Sequence, residues 1–319
     1  MKLNTHNTKI LLAVTLLASL LISFFEKSLN PYYFTVIIYI GINIILATSL
    51  NLINGYAGQF SLGHAGFMAL GAYGASVVTR ALNATAGDPL SIAILPVALV
   101  VGGIVAALAG LVVGIPSLRL RGDYLAITTL GFGEIIRVII QNIDFLGGAR
   151  GFTGIPKLAN LFWVFAFVGI VVFVITNLIN STYGKGFLSV RDDEIAAQAM
   201  GIDSTKYKVI AFITGAFFAG IAGGLYAHFV TYINPSQFSF IKSIEIVVMV
   251  IVGGMGSTVG VILAAIILTI LPEALRGIAE YRMVIYSLLL IVIMISRPQG
   301  IFGKGLNLNK LLSFGKSRA

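Results

Sequence analysis

The stretch "RDDEIAAQAMGID", Arg191–Asp203, is short, charged and rich in alanine, and it lies between two long apolar runs. Asp192 and Asp193 are suited to cap the N-terminus of a helix, and Gly201 is suited to end it in a left-handed conformation. The stretch therefore predicts a helix of about two turns. Such a short helix is not stable alone in water, so flanking structure or a partner protein must hold it.

The composition excludes an ordinary soluble domain. The chain has 319 residues, of which 58% are hydrophobic and only 10% are charged, and its mean hydropathy is +0.98. Soluble domains carry roughly 25% charged residues, so this chain cannot cover its surface with polar groups. The sequence therefore predicts an all-α, polytopic membrane protein, with residues 1–319 in a single transmembrane domain.

Apolar runs predict about ten transmembrane helices, some of them short or broken. They lie near residues 10–25, 33–53, 60–80, 90–114, 123–142, 160–180, 209–230, 243–254, 258–272 and 283–296. Because "GGMGSTVG" interrupts the pair at 243–254 and 258–272, that pair can be one broken helix, two short helices or a re-entrant hairpin. The first run is interpreted as a retained span rather than a signal peptide, because no clear A-x-A cleavage site follows it.

Charge and residue usage set the orientation and exclude several kinds of site. The formal net charge is +9, but the basic residues are spread over short loops and the C-terminal tail, which argues against a nucleic-acid-binding face. The excess of Lys and Arg predicts that both termini, the 181–208 loop and the basic tail 304–319 are cytoplasmic. The absence of cysteine excludes disulfides and thiolate metal sites, and the three histidines show no metal-ligand spacing.

Two glycine-rich, interrupted segments stand far apart in the chain: "NGYAGQFSLGHAGFMALGAYG" (Asn54–Gly74) and "VGGMGSTVGVILAA" (Val252–Ala265). Broken spans in both halves of a membrane chain are typical of transporters with inverted repeats. The alternative is close helix packing through small residues. That use fits Gly110-x-x-x-Gly114, Gly220-x-x-x-Gly224 and Gly256-x-x-x-Gly260.

Several stretches, in the same order, resemble one family. Glu194-x-Ala196-Ala197-x-x-x-Gly201 resembles the "EAA…G" loop by which ABC importer permeases dock into their ATPases. The other matching stretches are "NLINGYAGQFSLGHAGFMALGAY" (Asn51–Tyr73), "LRLRGDYLAITTLGFGEIIRVI" (Leu118–Ile139), "GGARGFTGI" (Gly147–Ile155), "FFAGIAGGLYAH" (Phe217–His228) and "RPQGIFG" (Arg297–Gly303). Together, over roughly residues 40–305, the chain resembles the M-type permeases of bacterial branched-chain amino acid ABC importers.

The resemblance implies a type II importer fold in the bacterial cytoplasmic membrane, with a central path shared by two permeases. It also implies four partner chains: a related H-type permease, two ABC ATPases and an extracytoplasmic substrate-binding protein. The 181–208 loop would then be the coupling loop. Its coupling residues would be Arg191, Asp192, Asp193, Glu194, Ala196, Ala197 and Gly201.

The sequence lacks a phosphate-binding loop, which indicates that ATP is bound by other chains. Such a loop requires G-x-x-x-x-G-K-[ST]. Gly315-Lys316-Ser317 matches the last three positions of this motif, but Lys310 stands where the first glycine is required. We therefore expect no cofactor on this chain and no enzymatic activity of its own. ATP and magnesium would bind to the partner ATPases.

Polar residues within the spans are candidates for the translocation path. Glu134 and Arg137 are neighbours on one helix face and could meet the charged groups of a zwitterion, or could form an internal ion pair. Gln59, Ser61 and His64 lie in the interrupted segment and could line the path or make interhelical hydrogen bonds. No residue is assigned as an established ligand contact.

The resemblance favours leucine, isoleucine and valine, or related apolar amino acids, as cargo. Urea or short amides are an alternative on the same scaffold. An ion-coupled secondary transporter is a weaker alternative, because Glu134 is the only good mid-span acid. An intramembrane enzyme is disfavoured, since no Ser/Lys dyad, paired aspartates or metal-ligand cluster appears at useful spacing.

Overall fold

The computed structural model describes Ser19 and residues 30–85, 88–117, 122–278, 281–296 and 300–301. Over these residues the chain is helical, and its only β feature is an isolated antiparallel bridge between Phe152 and Ile233. The helices are α1 (Pro31–Asn51), α2 (His64–Ala81), α3 (Pro89–Ser117), α4 (Asp123–Gln141), α5 (Leu161–Asn180), α6 (Thr182–Asp192), α7 (Glu194–Ala199), α8 (Ser204–Val230), α9 (Phe240–Gly253), α10 (Thr258–Ala274) and α11 (Arg282–Ser296). The predicted all-α class is confirmed.

Seven helical segments in the described part of the chain are long and apolar enough to cross a membrane. They are Pro31–Tyr56, Ala93–Ile115, Tyr124–Gln141, Leu161–Asn180, Ser204–Val230, Pro235–Gly253 and Thr258–Gly277. The protein is therefore a multi-pass membrane protein. The count of ten helices and the inverted repeat remain predictions; the predicted span 10–25, apart from Ser19, and the tail 304–319 lie outside the described residues.

The interrupted pair near the C-terminus forms two helices, α9 and α10, joined by a short turn. The N–H of Ser257 donates to the carbonyl of Gly254 at 3.0 Å, and the Ser257 hydroxyl accepts from the N–H of Gly260 at 3.2 Å, which caps α10. Gly256 has a φ of +80° in this turn. The predicted helix-packing role of Gly256 is therefore wrong, because this glycine serves a turn that an L side chain would strain.

Three helices, α2, α3 and α8, meet at the centre of the molecule through glycines. A side chain on Gly71 would collide with the backbone of Gly220, and one on Gly102 would lie 2.6 Å from the Gly71 carbonyl oxygen. A side chain on Gly224 would likewise lie 2.6 Å from Leu99. The predicted packing role of Gly220 and Gly224 is confirmed, and it allows backbones to approach as membrane helices commonly do.

The loops that follow α4 and α8 meet at the end of the molecule remote from α7. The N–H of Phe152 donates to the carbonyl of Ile233 at 2.8 Å, and the Tyr232 hydroxyl donates to the carbonyl of Arg150 at 2.8 Å. Helix α8 connects this end to α7, and its 27 residues span about 40 Å. The two ends are thus separated by more than the thickness of a hydrocarbon core, about 30 Å.

Candidate coupling site and membrane path

Helix α6 is anchored to the membrane helices before the polar loop begins. Phe187 on α6 is fully buried in a small apolar cluster with Leu52, Tyr56 and Ala211. Gly186 packs so closely against the ring of Tyr207 that it has no room for a side chain. The polar corner that follows therefore starts from a fixed base on α1 and α8.

Helix α7 begins where the sequence predicted a cap. Asp193 has an extended backbone, with φ of −157°, and its Oδ1 accepts from the N–H groups of Ile195 at 2.9 Å and Ala196 at 3.0 Å. The capping role predicted for Asp193 is confirmed. That of Asp192 is wrong, because Asp192 is the last residue of α6 and its carboxylate pairs with Arg191.

The C-terminus of α7 is closed by the predicted left-handed glycine. Gly201 has a φ of +80°, its N–H donates to the carbonyl of Gln198 at 2.9 Å, and the N–H of Ile202 donates to that of Ala197 at 3.0 Å. These two bonds form a Schellman motif. Apart from its two chain neighbours, no described residue has an atom within 4 Å of the place a Gly201 side chain would occupy, so backbone conformation rather than space requires glycine here.

A buried ionic contact ties α7 to the start of α8. Oε1 of Glu194 lies 2.7 Å from Nζ of Lys208 and accepts from the Ser204 hydroxyl at 3.1 Å. Nε2 of Gln198 donates to the same hydroxyl at 2.6 Å. The side chains of Lys208 and Glu194 are only 10% and 23% exposed. Because removal of one partner leaves the other charge buried and unpaired, loss of either residue should loosen α7 from α8.

The outer surface of α7 carries exposed apolar side chains. Ile195 is 66% exposed and Met200 is 82% exposed, and Ala196 and Ala199 lie between them on the surface. Ala197 is only 5% exposed and packs inward. The surface available to a partner is therefore this α7 face, defined as Ile195, Ala196, Ala199 and Met200, while Ala197 positions the helix.

Arg191 turns away from the α7 face and reaches the end of α1. Helix α1 finishes in a π-helical turn, Leu52–Tyr56, and Nη1 of Arg191 donates to the carbonyl of Gly55 at 3.2 Å. A side chain on Gly58 would lie 2.6 Å from Cγ of Arg191, and Gly58 has a φ of +70°. Arg191 therefore links α6 to the chain that leaves α1.

The two glycine-rich segments meet at the same place. The N–H of Gly256 donates to Oδ1 of Asn51 at 2.9 Å, and Gly55 lies so close to both that no side chain would fit. The hydroxyls of Tyr56 and Thr258 are 2.9 Å apart. We call Asn51, Gly55, Gly58, Arg191 and Gly256 the glycine junction. It joins α1, α6 and the α9–α10 turn.

The three path candidates in the interrupted segment are buried. The segment leaves the π turn, lacks helical structure over residues 57–63 and then enters α2. Gln59, Ser61 and His64 are 3%, 0% and 0% exposed. Nε2 of His64 lies 2.9 Å from the Ser49 hydroxyl, which is the interhelical bond predicted as the alternative. Within the described part of the chain, the side-chain polar atoms of Gln59 and Ser61 have no hydrogen-bond partner.

Glu134 and Arg137 form the predicted pair on one face of α4. Oε2 of Glu134 lies 2.7 Å from Nε of Arg137, and Oε1 of Glu134 accepts from the N–H of Phe240 at 3.2 Å. Glu134 also lines a narrow cleft that reaches Leu62 and Gly66 on either side of the start of α2. The structure thus brings Glu134 beside the interrupted segment, and the pair is neutralised internally.

The chain is similar to one family of known proteins. The family model for the branched-chain amino acid transport system permease component matches residues 32–294. The chain belongs to this permease family. The family match begins at the second residue of α1 and ends two residues before the end of α11, so it includes α7 and the glycine junction.

Two LivM relatives match most of the length of this permease, and a LivH relative matches half of it. It is 36% identical over 295 residues to the high-affinity branched-chain amino acid transport system permease protein LivM of Salmonella typhimurium, covering 82% of this chain and 67% of that protein. It is 26% identical over 316 residues to the probable LivM of Methanocaldococcus jannaschii, covering 83% and 92% of the two chains. It is 27% identical over 163 residues to LivH of Salmonella typhimurium, covering 50% and 52%. No solved structure matches the permease.

Some residues of the site were not identified from the sequence. Lys208 is separated from Glu194 by a turn, so no helical spacing relates the two residues. Asn51, Gly55 and Gly256 were parts of glycine-rich stretches, but their contact across the fold leaves no local sequence signal. Among the described residues no group of three or more His, Asp or Glu side chains is placed to hold a metal ion.

Proposed function

We propose that this permease is a membrane-spanning subunit of an ABC importer for leucine, isoleucine and valine or related apolar amino acids. The observation that carries the proposal is the α7 face. A short helix is capped at both ends, tied to α8 by the Glu194–Lys208 pair, and exposes Ile195 and Met200. Exposed apolar side chains on a helix fixed in this way suit insertion into a groove of another protein.

The coupling mechanism follows from the contacts of α6 and α7. An ATPase that closes on ATP moves the α7 face, and the motion passes to α8 through Glu194 and Lys208. It passes in parallel through Arg191 to the glycine junction, and so to α1 and the α9–α10 turn. The membrane helices then alternate between openings to the two sides, and the cargo is not chemically altered.

The partners and cargo of the proposal come from the relatives' names. LivM and LivH are each called permease proteins of a high-affinity branched-chain amino acid transport system, and this chain is similar to both. We infer a related H-type permease as the second membrane subunit, with two ABC ATPases and an extracytoplasmic binding protein. The complex lies in a bacterial cytoplasmic membrane, with the α7 face and both termini in the cytoplasm.

The hydrogen bonds of Glu134 disfavour the alternative of an ion-coupled secondary transporter. A carboxylate that couples transport to ions must exchange a proton or cation during the cycle. Glu134 is instead bonded to Arg137 and to the N–H of Phe240. An ion pair that neutralises itself has no need of a coupling ion.

Reconstitution of the complete complex in proteoliposomes tests the proposal. We expect ATP-dependent uptake of leucine that requires the loaded binding protein, and no uptake by this permease alone. Urea and acetamide serve as competing cargo in parallel assays. Uptake by the isolated permease in response to a proton or sodium gradient would contradict the proposal, and preferential uptake of urea would move the cargo to the short amides.

A further inference from the structure

Buried polar atoms without hydrogen-bond partners are concentrated in one short segment. In the part of the chain that the structure describes, five such side-chain atoms occur: Gln59 Nε2, Gln59 Oε1, Ser61 Oγ, His64 Nδ1 and Thr176 Oγ1. Four of the five lie between Gln59 and His64. Native proteins pair nearly all buried polar groups, so a cluster of unpaired ones indicates an occupant.

The hydrogen bonds of Ser49 identify which nitrogen of His64 needs a partner. The Ser49 hydroxyl lies 2.9 Å from both the carbonyl oxygen of Leu46 and Nε2 of His64. When its single proton goes to the Leu46 carbonyl, the hydroxyl accepts from Nε2, and Nδ1 is then a bare acceptor. In that tautomer the missing partner of His64 is a donor.

The segment is held in an extended form that aims its polar residues inward. Gly58 and Phe60 are exposed whereas Gln59 and Ser61 are buried, the alternation of an extended chain. The Asn54 side chain fixes this form, since its Oδ1 accepts from the N–H of Ser61 at 3.2 Å. The polar atoms are thus oriented by the backbone rather than left free to find partners.

We propose that Gln59, Ser61 and His64 form a binding site for the amino and carboxyl groups of an α-amino acid during its passage. The ammonium donates to His64 Nδ1 and Gln59 Oε1, and the carboxylate accepts from Gln59 Nε2 and the Ser61 hydroxyl. The site is uncharged, as is a zwitterion, so the membrane interior holds no net charge whether it is empty or filled. This inference rests on the proposed function and names the contacts of its cargo.

The position of the site connects it to the coupling path. Gln59 directly follows Gly58, whose backbone packs against Arg191 of the glycine junction. Leu62 is tied to α4 by its N–H, which donates to the Thr129 hydroxyl at 3.0 Å. A movement of α6 is therefore transmitted to Gln59 through Gly58, the adjacent residue of the glycine junction. Burial of the binding site corresponds to an occluded state, in which the path is closed to both sides of the membrane.

Leucine uptake and ATP hydrolysis by the complete complex, measured together at saturating loaded binding protein, test the site. Ser61→Ala should lower the uptake rate about tenfold, because it removes one hydrogen bond to a charged group, and Gln59→Leu should lower it further, because it removes two. ATP hydrolysis stimulated by the binding protein should persist in both variants, since neither residue belongs to the coupling contacts. Thr176→Val is the matched control, because Thr176 Oγ1 is the unpaired buried atom that the described part of the chain has outside the cluster, and uptake by this variant should equal that of the wild type.

The outcomes separate this inference from the proposed function. If wild-type complex shows no ATP-dependent leucine uptake, the proposed function fails and the inference fails with it. If the wild type transports and both variants transport at its rate, as Thr176→Val does, the inference is overturned and the segment holds only water. Should Gln59→Leu prevent assembly, Ser61→Ala, which removes a single oxygen atom, decides the matter alone.

Discussion

The α6–α7 corner and the Gln59–His64 segment differ in whether their polar side chains have hydrogen-bond partners. At the corner, Asp193, Glu194 and Arg191 all have partners, although the corner lies at the surface. In the segment, the side chains of Gln59 and Ser61 have none among the described residues, although they are buried. Polar groups that are paired make a stiff element that can transmit force, whereas polar groups that are unpaired leave a site for a ligand that binds and dissociates.

The largest effect is expected where the stiff element is broken. Glu194→Lys places two ammonium groups together in a contact that is mostly buried, which should cost about 3–5 kcal/mol locally and lower ATP-dependent uptake at least about 100-fold. Membrane insertion should persist, as checked by immunoblot of washed membranes.

Charge reversal supplies the control for that variant. The double variant Glu194→Lys with Lys208→Glu restores an ion pair of the opposite sense and should recover a substantial part of the uptake. Equal loss in the single and double variants would indicate that Glu194 contacts the ATPase directly instead of bracing α7 against α8.

A smaller effect is expected at the glycine junction. Gly58→Ala adds a methyl group 2.6 Å from Arg191 Cγ at a φ of +70°, which should cost about 1–2 kcal/mol and lower uptake several-fold. Gly131→Ala on α4 is the control, because no described atom beyond the adjacent residues and the backbone of α4 itself lies within 4 Å of the added methyl group. Thermal unfolding and uptake of the purified complexes should distinguish the two, and identical behaviour would argue against a role for the junction.

The smallest effect is expected at the end of α7. Gly201→Ala should lower stability by about 1 kcal/mol, because alanine disfavours the left-handed conformation. Gly201→Asn should cost less, since asparagine tolerates that conformation better. The measurement is the midpoint of thermal unfolding of the complex in detergent, and a Gly201→Ala midpoint equal to that of the wild type would show that the Schellman closure does not contribute.

The sequence predicted the helices and the caps of α7 well, because both depend on local patterns. Apolar runs located the long helices but not α6, which is polar. Asp193 and Gly201 were identified from residue type and position, whereas the same reasoning wrongly expected Asp192 to cap α7 as well. The contact of Gly55 with Gly256, and that of Glu194 with Lys208, could not be predicted, because each depends on how distant helices pack. The absence of a hydrogen-bond partner for the Gln59 side chain could not be predicted either, because the sequence does not show which groups face a polar residue within a span.

The most direct test of the account is the accessibility of Met200 from the two sides of the membrane. The chain has no cysteine, so Met200→Cys introduces a single thiol on the exposed α7 face. We predict that a membrane-impermeant maleimide labels this thiol in inside-out vesicles stripped of ATPase, does not label it in intact spheroplasts, and is blocked when the ATPase subunits are added back. Labelling from the outside, or labelling unaffected by the ATPase, would contradict the account.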